Sequence, residues 1–285
     1  MSRIVYVNGA YLPEAEATIS IFDRGFIFGD GIYEVSAVVG GKLVDCEAHL
    51  MRLERSCGEI SLSLPWSRAE LIAVHEELIR RNDLDEGGVY LQVSRGAADR
   101  DFAFPKDVPP TLVMFTQARN LSQAPAAKTG IKVVTTPDLR WARRDIKSVN
   151  LLGPVLAKQF AAENGAQEAW LIEDGIVTEG ASSTAWIVKG KALISRPLSH
   201  KVLPGITRKA LLAFLAETGF TFEERTFTLD EALEAEEAFI TSASSFVMPV
   251  VSIDGHTIHN GAPGPAALRL REIYLDFARK GGVLG

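Results

Sequence analysis

In DLRWARRDIKSVNLLGPVLAK, residues 138–158, one sequence pattern gives way to another at Lys147. Before it, Arg140, Arg143 and Arg144 interleave with Trp141 and Ile146. After it, Leu151, Leu152, Val155 and Leu156 open an apolar period that predicts a helix to about Glu163. A lysine between an extended segment and a helix start can be held at a pocket edge. A lysine in a basic loop is ordinarily solvated. The rest of the chain decides between the two.

Upstream, RNLSQAPAAKT (119–129) is polar, aperiodic and rich in small residues, which places a domain boundary there. Residues 1–120 form the first domain, and 121–285 form the second, which carries Lys147. The first opens on Asn8-Gly9 within IVYVNGAYL (4–12), a hairpin signal. DRGFIFGDGIYEV (23–35) reads as an aromatic-rich extended segment punctuated by Gly25, Gly29 and Gly31, with Phe26 and Tyr33 as candidate core. Glu34 stands three beyond Gly31 and no helix pattern opens, so this is not a dinucleotide fingerprint. Gly40-Gly41 turns a second hairpin. Cys46, Leu50, Leu53, Cys57 and Ile60 then mark one face of a helix, with His49 and Arg52 beside it, able to point at a common ligand. Ser67 and Glu70 form a capping box for a helix to about Asn82. RGAADRDFAFPKDVPP (95–110), between two strand-like runs, has the length of a binding loop, with Arg100 near its middle.

Downstream, strand patterns at 131–136, 168–172, 176–177, 185–188, 192–195, 238–240 and 247–253 mix with helices opening near Ile206 and covering 266–280. Strands outnumber helices and come in hairpins, so the expected fold class is α+β. The 285 residues, 47% hydrophobic and 23% charged, are enough for two modest cores. A net charge of −6 argues against nucleic acid and anionic membrane surfaces as partners. No run has the length of a membrane span and no signal pattern opens the chain, so the cytoplasm is the expected compartment. Cys46 and Cys57 read as buried reduced thiols. His256 and His259 lack a third ligand nearby, so no metal is expected.

Several groups suit a flat anionic cofactor. Arg52 is a cation, Gly205-Ile206-Thr207 is a helix N-terminus with open N–H groups, and Ser242 and Ser244 lie in a small-residue turn. Together they could cradle a phosphate. Glu179 sits in TEGASST between two strands.

The blocks DRGFIFGDGIYEV (23–35), HLMRL (49–53), RWARRDIKSVNLLGPVLAKQ (140–159), VTEGASSTAW (177–186) and VLPGITR (202–208) resemble, in order and spacing, the fold-type IV pyridoxal-phosphate enzymes. The resemblance is closest to the D-amino-acid aminotransferases. It implies a two-domain subunit, a homodimer with the partner's loop over the site, and pyridoxal 5'-phosphate as cofactor. The implied substrates are an amino acid and a 2-oxo acid, exchanged by ping-pong transamination. Residue by residue, it implies that Lys147 is the Schiff-base lysine and that Glu179 faces the pyridine nitrogen. Arg52, Ile206, Thr207, Ser242 and Ala243 would hold the phosphate, and Leu203 would pack on the ring. Tyr33 and Arg100 would bind the substrate carboxylate, with Phe102 and Ser182 bordering it.

The chain departs from that pattern twice. Phe102 stands where these aminotransferases often carry a histidine. Ala243 stands where a threonine is common; it lacks the hydroxyl and keeps the N–H, so phosphate binding is expected to be weaker but intact. Among relatives of the same fold, branched-chain aminotransferases fit GDGIYEV less well, and aminodeoxychorismate lyases share the RGFIFGDG type of block. (R)-amine transaminases vary the loop around Arg100. A catalytically silent cofactor-binding scaffold is disfavoured by the presence of both Lys147 and Glu179.

Overall fold

The computed structural model describes residues 2–282, which divide into two compact units. One runs to Asn120 and takes in Ile146–Asn150 and residues 278–282; the other comprises Leu121–Asp145 and Leu151–Phe277.

In the first unit the elements are β1 (Ile4–Val7), β2 (Ala10–Pro13), α1 (Arg24–Phe28), β3 (Gly31–Val39), β4 (Lys42–Val44), α2 (Cys46–Glu59), α3 (Arg68–Arg81), β5 (Glu86–Ser94) and β6 (Thr111–Ala118). The described residues form a six-stranded antiparallel sheet in the order β2-β1-β6-β5-β3-β4. Asn8 (φ 46°) and Gly9 (φ 98°) make the β1–β2 turn, as positive φ at both positions requires. Along β5, Val89, Leu91 and Val93 point into a core shared with Leu50, Leu53 and Cys57 of α2 and with Leu71 and Leu78 of α3. Tyr90 lies on the opposite face, stacked between Tyr33 and Phe115. The capping box at Ser67 and Glu70 is present. Both cysteines are free; Cys57 is buried, whereas Cys46 is only half-buried.

Arg24–Phe28 is a helix, not the extended segment its sequence predicts. Asp23 accepts from Gly25 N at one end, and Gly29, left-handed at φ 69°, closes the other. Five residues are too few for an apolar period to register. Phe26 within it is 74% exposed and so is not core.

Chain order would group Ile146–Asn150 with residues 121–285, yet it clusters with the first unit. Ile32 bridges Ser148, Tyr33 N donates to Lys147 O and Val149 N donates to Gly31 O, so the segment lies along β3.

The second unit holds α4 (Ala126–Thr129), β7 (Ile131–Pro137), α5 (Leu152–Glu163), β8 (Glu168–Glu173), β9 (Ile176–Gly180), β10 (Thr184–Lys189) and β11 (Ala192–Ser195). It continues with α6 (Ile206–Ala213), β12 (Thr221–Glu224), α7 (Leu229–Leu233), β13 (Glu237–Ser242), β14 (Phe246–Ile253), β15 (His256–Thr257) and α8 (Pro265–Arg279). Its described residues form a nine-stranded mixed sheet, β12-β11-β10-β13-β14-β7-β8-β9, with β15 on β14. The helix after Lys147 forms as its period predicts and crosses over between the parallel strands β7 and β8. Its larger apolar residues face outward: Leu152 is 67% exposed, Val155 58%, Leu156 56% and Phe160 43%. Ala157 and Ala161 are the residues it buries.

Two histidines are buried within the first unit. His75 on α3 has Nδ1 2.7 Å from Leu71 O, and burial pulls its pKa down from 6.5 to about 4. His49 is lowered as well, by burial that Glu34 only partly offsets. The unfolded chain therefore binds protons that the native chain does not between pH 6.5 and about 4, and stability falls as pH drops through that window. For His75 the full effect is about 3 kcal/mol. Chemical denaturation of the His75→Gln variant between pH 7 and 4 should show a shallower loss than the parent; an identical slope would contradict this account.

Candidate active site

Strand alternation on β3 turns Tyr33 to one side and Glu34 to the other. On the Tyr33 side, Lys147 is half-buried with Nζ 4.3 Å from the Tyr33 ring centroid. The lysine backbone is fixed on both sides: its carbonyl accepts from Tyr33 N at 3.0 Å, and its N–H reaches Ser56 Oγ at 3.4 Å. The structure thus brings two of the sequence-selected residues, Tyr33 and Lys147, together.

On the other side Glu34, 1% exposed, accepts from Arg52 Nε and Nη2 at 2.8 Å each, and its Oε2 lies 2.7 Å from His49 Nδ1. His49 and Arg52 do share a partner, and it is the Glu34 carboxylate of the chain itself. Burial pushes Glu34 up, yet Arg52 and His49 outweigh it, and the carboxyl is held well below its usual range. No motif in the sequence marks Glu34 as part of a site. Its only signal was its place one residue after Tyr33 on a predicted strand.

Arg100 and Phe102 lie in the loop between β5 and β6, Arg100 exposed and Phe102 77% exposed. The Arg100 guanidinium stands 5.2 Å from the Phe102 ring centroid and 5.4 Å from that of Phe28. The rings of Phe28 and Phe102 are 5.5 Å apart.

In the second unit, Glu179 at the end of β9 is 4% exposed. Arg140 Nη1 donates to its Oε1 at 2.5 Å, and Leu203 N donates to Oε1 and Oε2 at 3.2 and 3.3 Å. Burial raises the Glu179 pKa, with Arg140 acting against it. Arg140 is itself forked onto Asp138 at 2.9 and 2.7 Å, and Thr178 Oγ1 donates to the same carboxylate at 2.8 Å. In the sequence Arg140 is one basic residue among several. Nothing in local spacing ties it to Glu179.

The helix N-terminus and the serine turn occur in the same unit. Gly205 caps α6 without a side-chain bond, which leaves first-turn N–H groups for another acceptor; Ile206 and Thr207 follow it, both buried. The α6 helix packs on β13, which ends at Ser242. Ser242 Oγ lies 3.3 Å from Ser244 Oγ and 2.7 Å from Ser245 Oγ, with Ala243 half-buried between. Phe246 closes the turn at φ 58°, a strained conformation for a bulky residue. Arg271 pins both flanks, donating to Ser245 O and Val247 O at 2.8 and 2.9 Å. Ser182 is exposed, its Oγ donating to Glu168 Oε2 at 2.9 Å, and Leu203 is half-buried.

Residues 31–253 match the family model described as "Amino-transferase class IV". A D-alanine aminotransferase from Bacillus licheniformis is 42% identical over 261 residues, 92% of this chain and 92% of that protein. The branched-chain amino acid aminotransferase of Escherichia coli superposes with a TM-score of 0.93 at 21% identity, over 99% of this chain and 97% of that one. At that identity the likeness concerns the fold alone. A second branched-chain amino acid aminotransferase, from T.th. and complexed with N-(5'-phosphopyridoxyl)-L-glutamate, has a TM-score of 0.88 at 25% identity, covering 99% of this chain and 95% of that one.

The Glu34 cluster makes a prediction that needs no relative. Glu34→Gln keeps the shape but removes the negative charge from beside the buried Arg52, and should destabilise the protein by about 3–5 kcal/mol. Urea unfolding at pH 7 measures it. A change below about 1 kcal/mol, the range of exposed pairs, would show that the pair is not the buried charge described.

Proposed function

We propose that this chain, which belongs to the class IV aminotransferases, moves an amino group from a D-amino acid such as D-alanine to a 2-oxo acid. The observation that carries the substrate assignment is the 42% identity with a D-alanine aminotransferase across nearly the whole of both chains. The branched-chain reading draws only on structural likeness at 21–25% identity, so it stands second.

Pyridoxal 5'-phosphate, the cofactor of the family, supplies an electron sink for the carbanion left when an amino acid loses its Cα proton. The donor set fits it. An amine held over an aromatic ring, a buried carboxylate, and an uncapped helix N-terminus with a hydroxyl turn are the groups that an aldehyde, a ring nitrogen and a phosphate require. Lys147 Nζ would hold the cofactor and, once displaced by the incoming amino acid, take the Cα proton and pass it on. Glu179 would face the ring nitrogen; Arg140 and the Leu203 N–H favour its charged form against burial, so that it can stabilise a positive partner. Arg52, Ile206, Thr207, Ser242 and Ala243 would hold the phosphate, the last through its N–H. Leu203 would pack on the ring. Tyr33 and Arg100 would take the substrate carboxylate, with Phe102 and Ser182 at its edge.

The outward apolar stripe of α5, Leu152, Val155, Leu156 and Phe160, supports a homodimer, because such a stripe is costly to leave in water. Among the described residues no helix is long and apolar enough to cross a membrane, and we assign the protein to the cytoplasm.

Lys147→Ala should abolish turnover, and Glu179→Gln should retain cofactor while slowing proton abstraction by on the order of 10²–10³-fold. Stopped-flow half-reactions with D-alanine test both; near-normal rates in either variant would remove that residue from its role.

Phe102 offers no hydrogen bond where a histidine would. Phe102→His should therefore raise kcat/KM for D-alanine by roughly 10-fold or more, the effect of about 1.5 kcal/mol from one bond to a charged group. Arg100→Ala should lower it by at least as much. If D-alanine kinetics ignore Arg100→Ala, the carboxylate is held elsewhere.

A further inference from the structure

Arg24 is 3% exposed in α1, and its side chain reaches the backbone of the loop that carries Arg100 and Phe102. Its Nη1 donates to Asp101 O at 2.6 Å and to Ala103 O at 3.4 Å, and its Nη2 to Phe102 O at 3.4 Å. The guanidinium is in turn fixed from behind. Arg24 Nε donates to Asp30 Oδ2 at 2.8 Å, and Arg95 grips the same carboxylate through Nε and Nη2 at 2.8 and 3.0 Å. Arg95 is anchored beyond that on Ser61 O at 2.9 Å and Ile60 O at 2.8 Å. Burial would raise the Asp30 pKa, but its bonds to Arg95 and Arg24 prevail and lower it, so the brace stays charged.

The geometry of the loop shows what this brace does. Its neck is closed at Gly96, φ 93°, where a Cβ would run into the Pro109 carbonyl, and Arg24 N donates to Gly96 O at 2.9 Å. Residues 101–103 lie outside any strand or helix, so their carbonyls have no ladder to bond. One planar guanidinium bonds three consecutive carbonyls and the Asp30 carboxylate together, four acceptors where a lysine ammonium has only three donors. The Arg24 guanidinium also lies 4.6 Å from the Phe28 ring centroid, the ring that packs beside Phe102 and Arg100.

We propose that Arg24, braced by Asp30 and Arg95, is a positioning residue that sets where Arg100 and Phe102 stand, and so how tightly a substrate carboxylate is held. The proposal rests on the carboxylate role given to Arg100 above. Arg24 touches neither substrate nor cofactor; it acts through the loop backbone.

The test uses the cofactor-loaded enzyme with D-alanine, in Arg24→Ala, Arg24→Lys, Arg100→Ala and the Arg24→Ala/Arg100→Ala double variant. Arg24→Ala should raise KM for D-alanine roughly 10-fold or more while kcat moves less than about threefold, the loss of one charge-assisted contact. Millimolar guanidinium chloride should restore part of that KM in Arg24→Ala, and Arg24→Lys should not match the parent. In the Arg100→Ala background the second substitution should add nothing, since its effect is exerted through Arg100. Amide hydrogen exchange of residues 98–104 should quicken in Arg24→Ala, with cofactor content unchanged. Should Arg24→Ala fail to fold, Asp30→Asn loosens the same brace and should shift KM in the same direction by less. An unchanged KM in Arg24→Ala or Asp30→Asn, with Arg100→Ala strongly impaired, overturns the positioning role and leaves the carboxylate role standing. Full additivity in the double variant also overturns it, because a general loss of structure would act on both backgrounds. If Arg100→Ala itself leaves KM unchanged, the carboxylate reading fails and this proposal falls with it.

Discussion

Two backbone hydrogen bonds, Tyr33 N to Lys147 O and Val149 N to Gly31 O, hold a lysine from the β7–α5 connection against β3. Without them Lys147 would ride on an irregular stretch of 14 residues between Pro137 and Leu152, free to wander. With them its Cα is held like that of a strand residue, and the amine lies over Tyr33. Gly31 answers to the strand on its other side, β5, where a Cβ would stand 2.8 Å from Val93 O.

That anchoring settles a second matter through the pleat of β3. With Tyr33 turned towards Lys147, Glu34 must turn into the core, and a buried carboxylate there needs cations. Arg52 and His49 supply its partners from α2. Glu34 and Glu179 are both buried, yet their pKa values move in opposite directions. Glu34 receives a two-pronged bond from Arg52 and a contact from His49, which more than offset burial. Glu179 receives one bond from Arg140 and longer contacts from a single backbone N–H, so burial prevails. A carboxylate left short of positive partners is suited to meeting one more, which accords with the ring-nitrogen role proposed for Glu179.

The same physics explains where sequence patterns misled. The apolar period after Lys147 predicted a helix and a helix forms, but period alone cannot say what a stripe faces. Ala157 and Ala161 let α5 sit close on its sheet, while Leu152, Val155, Leu156 and Phe160 are left outside. DRGFIFGDG folds partly as helix because two cap residues, Asp23 and Gly29, satisfy its ends, a local effect too short to appear as a period. His49 and Arg52 converge, as their spacing predicts, and their common partner is a carboxylate of the chain itself.

By itself the sequence determined the elements whose signals are local and repeated: the Asn8-Gly9 hairpin, α2 from its 4-3-4-3 spacing, and α3 from its capping box. Through its ordered blocks it also determined the family. Tertiary structure alone decided which groups meet: Arg52 with the Glu34 carboxylate across 18 positions, Arg140 with that of Glu179 across 39, and Arg24 with the Asp101 backbone carbonyl across 77. Such pairs depend on sheet register and on which face of each strand a side chain takes. Those are properties of the assembled sheet that no periodicity within one segment encodes.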